Sequence, residues 1–485
     1  MSKARRRFIR YGILGLGLLI VAAVSMTAFA PEDGAIRADR PEFAPMNPEY
    51  VRYINDKKAG RPWPTMTEDG HPLGLIPAPI DLSHIKADPR FDNADRLVAK
   101  YDLRTKNKLT PIKDQGSAGT CWTFATFGSL ESYLKPGAIW DFSEQNLVDN
   151  HGFDYGVNDG GHMWMAAAYL ARWSGPLKET QDPYQYAVID GVPPSKHVQK
   201  IIFGAKRASS TDNTLIKNYV MTYGAVAVSM AWSSSAYRDA TKAYYHSGSW
   251  TGGHAVCVVG WDDSFSKSKF ASTPPGNGAF IVRNSWGSNW GESGYFYVSY
   301  YDSQFGRVNC NAVVFGEPTT NYKGIYQYDT LGWVASAYTD SPASTKWFAN
   351  IFTATAKGSI KAVSFYTGAN SNPYEIYVYT GVASNQPRSG NLKKTVKGTV
   401  AFPGYVTIPL GSLVPVNSGQ KFSIVVKLTT KNYNYPIPIE YRASGYTSAA
   451  TAKTGQSFVS SNGTSWTDTT KKWSNANVCL KAFTQ

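Results

Sequence analysis

Three side chains stand in contexts suited to covalent chemistry on an acyl group. Cys121 lies in Asp114-Gln115-Gly116-Ser117-Ala118-Gly119-Thr120-Cys121-Trp122-Thr123-Phe124-Ala125, His254 in Gly253-His254-Ala255, and Asn284 in Arg283-Asn284-Ser285-Trp286-Gly287. A thiol attacks well only as thiolate, and a free cysteine is mostly protonated at neutral pH. Two devices correct this. Cys121 is placed to open a helix, whose N-terminal end carries partial positive charge. An imidazolium at His254 would supply a full charge, giving a thiolate–imidazolium pair, and would then protonate the departing amine. Asn284 would hold the ring through its side-chain carbonyl, with Trp286 covering that bond. Gln115 can offer its amide, with the backbone N–H of Cys121, to a tetrahedral oxyanion. Losing one such donor typically costs about 3 kcal/mol in the barrier.

The elements that must position these groups are legible in outline. Cys121 to Tyr133 reads as an apolar helix stopped by Pro136-Gly137, and Gly161 to Trp173 as a second helix with Met163, Ala166, Ala167 and Leu170 on one face. Strands are predicted at Ala225–Met230, Ala255–Trp261, Gly278–Arg283 and Gly294–Tyr300, with the polar stretch Asp263–Asn277 looping out. Helices first and antiparallel sheet afterwards make an α+β domain over 100–317. From Asn321 to Gln485 the chain changes to short strand-like runs punctuated by Gly, Asn, Pro and Ser, such as Tyr374-Glu375-Ile376-Tyr377-Val378-Tyr379, which predicts an all-β sandwich.

These blocks resemble the papain-like cysteine peptidases. Ser143-Glu144-Gln145-Asn146-Leu147-Val148-Asp149 is similar to a further signature of that family, and Asn284-Ser285-Trp286-Gly287-Ser288-Asn289-Trp290-Gly291 completes the set. The resemblance implies a two-lobed fold with a cleft between a helical and a barrel-like lobe. It implies catalytic roles for Cys121, His254, Asn284 and Gln115, and substrate contacts for Gly160, Gly161, Met163 and Trp286. Gly160-Gly161 would pair with substrate backbone, and Met163 would wall a pocket. There are departures. Thr120 replaces Ser or Ala, Ala118 and Asn150 stand where cysteines are usual, and Asn284 follows Cys121 by 163 positions, beyond the rough range of about 130–150. The sandwich resembles, more faintly, the lectin-like domain appended to some prokaryotic members.

The first 30 residues pair a basic start (Lys3, Arg5, Arg6, Arg7, Arg10) with an apolar run and Ala28-Phe29-Ala30, as an export signal does. An uncleaved membrane anchor is the rival. Residues 31–99 are rich in Pro and poor in periodicity, with one short helix near Pro48–Lys57. Propeptide and spacer are equally open, and the family's long helical propeptide signature is not found, which weighs against an inhibitory role. Of the net charge of +14, a surplus of 11 lies between Asn321 and Gln485, where 16 basic residues face 5 acidic ones. Scattered lysines make a solvated basic face or, outside the cell, a surface for an anionic envelope polymer. Trp333, Trp347, Tyr366, Tyr374, Tyr379, Tyr433, Tyr435, Trp466 and Trp473 are core or sugar-stacking candidates.

No metal or cofactor is expected, since the four cysteines lack ligand spacing and no His/Asp/Glu cluster occurs. No phosphate-cradling loop points to nucleotides, and no nucleic-acid partner is expected. Cys257 reads as a buried thiol, and His151, His162 and His246 as surface or structural residues. His197 is expected in a loop. Asn462-Gly463-Thr464 is first a tight turn. The reading is thus an exported, extracellular or cell-surface endopeptidase acting on polypeptides, with its C-terminal domain on a cell-surface glycan or envelope. A transpeptidase or ligase with the same nucleophile, or a non-catalytic surface binder, is the alternative.

Overall fold

The computed structural model describes residues 42–86, 97–184, 188–209, 212–250, 252–309 and 311–485. The expected export signal or anchor and Cys310 lie outside the described residues. Among these residues no helix is long and apolar enough to cross a membrane.

The helix Cys121–Leu134 is buried on nearly every side, from Cys121 through Ser132. A helix apolar all round belongs inside a domain. It lies against the strands Val226–Ala231, Gly253–Asp262 and Asn311–Glu317. Its few polar side chains there are satisfied: Ser129 Oγ accepts from Val314 N–H at 3.2 Å and Ser132 Oγ from Ala225 N–H at 2.9 Å. Gly128 gives Cys257 room, because a β-carbon there would lie 3.0 Å from its sulfur. Cys257 is buried, as expected. The shorter helix Glu144–Asn150 is capped by Ser143, whose hydroxyl accepts from Asn146 N–H at 2.9 Å. Lys113 joins the two helices through Glu131 and Glu144, at 3.0 Å each. Met163–Ala171 forms the next helix, and every residue of it is buried.

The predicted strands exist with small boundary shifts, as Val226–Ala231, Gly253–Asp262, Ala279–Arg283 and Tyr295–Ser299. His197 corrects an expectation. It opens the strand His197–Gly204 and stacks on Trp173 at 3.8 Å. The run Val198–Phe203 is buried on all but two positions, which no loop could be.

That strand is the seam of the molecule. One edge pairs with Asn311–Glu317 in the α+β domain. The other pairs with Gly404–Val416 in the C-terminal domain, in the register Gly404↔Ile202, Tyr405↔Ile201 and Val406↔Lys200. One sheet of 13 strands therefore runs through both domains. Gly404 permits the junction: its φ is 128°, and a β-carbon would lie 2.0 Å from the carbonyl oxygen of Ile201.

The C-terminal domain is the expected sandwich. Part of the long sheet packs face to face with a six-stranded sheet built on Asn372–Thr380, Lys421–Thr429 and Thr345–Thr353. The strand Asn372–Thr380 shows the alternation that this requires, with Tyr374, Ile376 and Val378 buried between partly exposed Glu375 and Tyr377. Trp333, Tyr366, Tyr374, Tyr379, Tyr433 and Trp473 are core residues, which leaves Trp347, Tyr435 and Trp466 with accessible surface. Asn462 makes the tight turn, accepting from the N–H groups of Thr464 and Ser465 at 2.8 and 2.9 Å.

Residues 42–86 pack against both domains. The helix Pro48–Lys58 lies within them. Phe43 inserts between Tyr441 and Trp473, and His84 lies flat on Tyr433 at 4.1 Å.

Candidate active site

Cys121 is the first residue of its helix, and Thr120, the capping residue, makes no side-chain cap bond. The N–H groups of that end are thus directed at the site rather than satisfied by a side chain. The strand carrying His254 crosses this end. The backbone N–H of Ala255 donates to Cys121 Sγ at 3.3 Å.

His254 is held in one tautomer. Asn284 Oδ1 accepts from its own neighbour, Ser285 N–H, at 2.9 Å, which fixes which end of the amide is oxygen. The same oxygen lies 2.7 Å from His254 Nε2, so Nε2 carries the hydrogen and donates it. The other nitrogen, Nδ1, is buried and makes no hydrogen bond among the described residues, leaving its lone pair free to act as a base. Trp286 stacks on the imidazole at 4.7 Å, beside the His254–Asn284 bond.

Gln115 is fully buried. Its Oε1 accepts from Ser285 Oγ at 2.7 Å, so its Nε2 is turned outward as a donor. That amide donates to Ala118 O at 2.8 Å and to Pro72 O at 3.3 Å.

Pro72 introduces what the sequence reading missed. Residues 72–76 lie as an extended peptide across the site. Pro72 O takes hydrogen bonds from Gln115 and from Trp286 Nε1, the latter at 3.2 Å. The Gly74 N–H is directed at the Cys121 sulfur. Gly161 N–H donates to Gly74 O at 2.8 Å, Ile76 N–H donates to Gly161 O at 3.1 Å, and Leu75 N–H donates to Gly253 O at 3.1 Å. Gly253 makes this approach possible, and Trp122 leaves no room for a side chain at Gly161 beside it. A β-carbon on Gly253 would lie 1.9 Å from Leu75 O, and one on Gly161 would enter the Trp122 ring. Upstream, His71 lies flat on Trp286 at 4.5 Å.

The electrostatics follow from this cover. Burial pushes the Cys121 thiol up to about 12 despite the N–H groups of Ala255 and Gly74. Burial lowers His254 to about 4, although the bond to Asn284 opposes it. Burial under this cover thus opposes the expected thiolate–imidazolium pair at both groups. A charged pair also needs solvent, which residues 72–76 exclude.

Of the other expected substrate contacts, Gly160 faces the same segment, where a β-carbon would lie 2.6 Å from Gly74 O. Met163 is buried at the start of its helix and is absent from the lining of the cavity between Leu73–Ile76 and Gly160. His151 and His162 are buried structural residues. No group of metal-ligating side chains occurs among the described residues.

Residues 97–314 match the family model described as Papain family cysteine protease, and residues 325–484 that described as Lectin like domain. A solved structure of the cysteine protease and lectin-like domains of Cwp84, a surface layer associated protein of Clostridium difficile, covers 92% of this chain and 98% of that chain at 26% identity and a TM-score of 0.76. The clostridial protease after propeptide cleavage covers 80% of this chain and 99% of that chain at 27% identity and a TM-score of 0.69. A viral cathepsin of Adoxophyes honmai nucleopolyhedrovirus is 33% identical over 225 residues, 45% of this chain and 61% of that protein. Cysteine proteinase 15A of Pisum sativum is 35% identical over 220 residues, 42% of this chain and 58% of that protein. The chain thus spans about three-fifths of the length of these curated relatives.

Proposed function

We propose that this chain, a papain-family cysteine peptidase domain followed by a lectin-like domain, is an exported endopeptidase made as a zymogen. The observation that carries this reading is the peptide already lying in the site, with its backbone on Gly161, its Gly74 N–H at the Cys121 sulfur and its Pro72 carbonyl on Gln115. A groove that holds one extended main chain this way is built to hold another.

With the cover gone, solvent lowers the cost of charge at Cys121 and His254. The thiolate attacks the carbonyl carbon of a substrate peptide bond, and the oxyanion forms beside Gln115 Nε2 and the N–H of Cys121. His254 gives its Nδ1 proton to the departing amine, leaving a thioester. Water, deprotonated by the same nitrogen, then releases the acid and restores the thiol. Asn284 keeps the ring oriented through both steps.

Residues 31–99 are the propeptide in this reading, and its 72–76 stretch is the inhibitory part. The basic, apolar N-terminus supports export. The likeness to a surface layer associated protease supports a cell-surface site of action, where the lectin-like domain would hold glycan or another envelope polymer.

The test is labelling of the processed chain with a thiol-directed epoxide, followed by peptide mapping. Modification at Cys121, with loss of hydrolysis in Cys121→Ala, is the expected result. Hydrolysis that survives Cys121→Ala would overturn the reading.

A further inference from the structure

Residues 42–86 do more than cover Cys121. At its upstream end the segment completes a strand edge of the lectin-like domain. The strand Ala335–Ala337 pairs on one side with Ile437–Tyr441. On its other side Ala44 N–H donates to Ser336 O at 2.8 Å, and Tyr338 N–H donates to Glu42 O at 2.9 Å. Phe43 is bridged antiparallel to Ala337, and its ring enters a slot between Tyr441 at 5.0 Å and Trp473 at 5.4 Å. The same segment returns from the site to this face. Asn309 guides it, donating to Ile76 O at 3.1 Å and accepting from Ala78 N–H at 2.9 Å. His84 then lies on Tyr433 and bonds Gly368 O at 2.8 Å.

We propose that this face, formed by Val334, Ser336, Tyr433, Tyr441 and Trp473, is an exosite for the substrate polypeptide. It would take an extended segment bearing an aromatic side chain once residues 42–86 have left. The inference rests on the propeptide reading above. Three features argue for a peptide and against a sugar as the occupant. The open groups are main-chain N–H and C=O at strand spacing, which another strand satisfies. The slot now holds a phenylalanine ring tilted at 54° and 57° between two aromatics. The route from Ile76 to His84 is eight residues, at most about 29 Å, so one substrate chain can occupy the cleft and this face together. Departure of the segment would also bare Val334, Tyr441 and Trp473, all now buried, beside an unpaired strand edge. Such a surface is a liability unless it has a partner.

The test is fluorescence anisotropy with a labelled synthetic peptide of the sequence Pro41-Glu42-Phe43-Ala44-Pro45-Met46-Asn47, with Cys121 alkylated so that the cleft is blocked. The processed chain should bind it, the unprocessed chain should not, and replacing the peptide's Phe43 by Ser should weaken binding about tenfold. With the active processed chain, the peptide should raise KM for carboxymethylated casein about tenfold and leave hydrolysis of a short fluorogenic peptide unchanged. Failure to bind the alkylated processed chain, or equal inhibition of both substrates, would overturn the exosite. A processed chain that binds the peptide but hydrolyses neither substrate would instead overturn the peptidase reading.

Discussion

A methyl group on Gly74 would sit 2.1 Å from the carbonyl oxygen of Gly119, two residues ahead of Cys121. No side chain fits there, so the segment passes the site only because this residue is glycine. In the full chain, Gly74→Ala should lift residues 72–76 and expose Cys121. Epoxide labelling should accelerate at least tenfold, while the far-ultraviolet spectrum stays unchanged. A labelling rate equal to wild type would show that these residues are not the barrier.

Gln115 and Ser285 make a graded pair. Gln115→Ala removes the donor proposed for the oxyanion and should lower kcat by about 100- to 1,000-fold. Ser285→Ala leaves the donor but removes the bond that turns its amide outward, so kcat should fall by only about tenfold. KM for a short peptide should hold in both. A Ser285→Ala enzyme as slow as Gln115→Ala would mean that Ser285 acts in some other way.

Three structural histidines predict an acid-sensitive fold. Burial lowers His151 and His197 to about 4 and His162 to about 3, from 6.5. Each is neutral in the fold, and each takes up a proton near pH 6.5 when unfolded. Their contribution to stability is complete above pH 6.5 and is lost as pH falls toward 4, at about 1.4 kcal/mol per pH unit for each. The Tm should drop steeply between pH 6.5 and 5, and His162→Gln should flatten that slope. A Tm independent of pH across this window would contradict the burial of these rings.

Phe43 and His84 grip the lectin-like domain while the segment between them fills the cleft. Phe43→Ala and His84→Ala, in the full chain, should each loosen the cover without touching the site. Cys121 labelling should quicken several-fold in each, and more in the double variant. Unaltered rates would mean that the contacts in the cleft suffice alone.

The candidate groups Cys121, His254, Asn284 and Gln115 were legible because each stands in a distinctive local context, and a reacting thiol, ring and amide would tolerate few residue types. The extended run Pro72–Ile76 carries no such signal. Its recognition is through backbone N–H and C=O, which every residue shares. The sheet junction at Gly404 is hidden for the same reason. His197 was a different case: the Val198–Phe203 run had strand composition, but Lys200 and Gln199 broke the pattern. Met163 was assigned by family position alone, and it lies buried at the start of its helix.

Backbone pairing between Ile202 and Gly404 has a consequence for where peptide bonds can be cut. Two domains on a flexible linker would let a blade sweep an arc around whatever holds the far end. A ladder of hydrogen bonds running through both halves forbids that swing. Were the C-terminal half held on a surface, the cleft would stand at one height and one tilt above it. Scissile bonds would then be selected by their elevation from that surface as well as by their side chains.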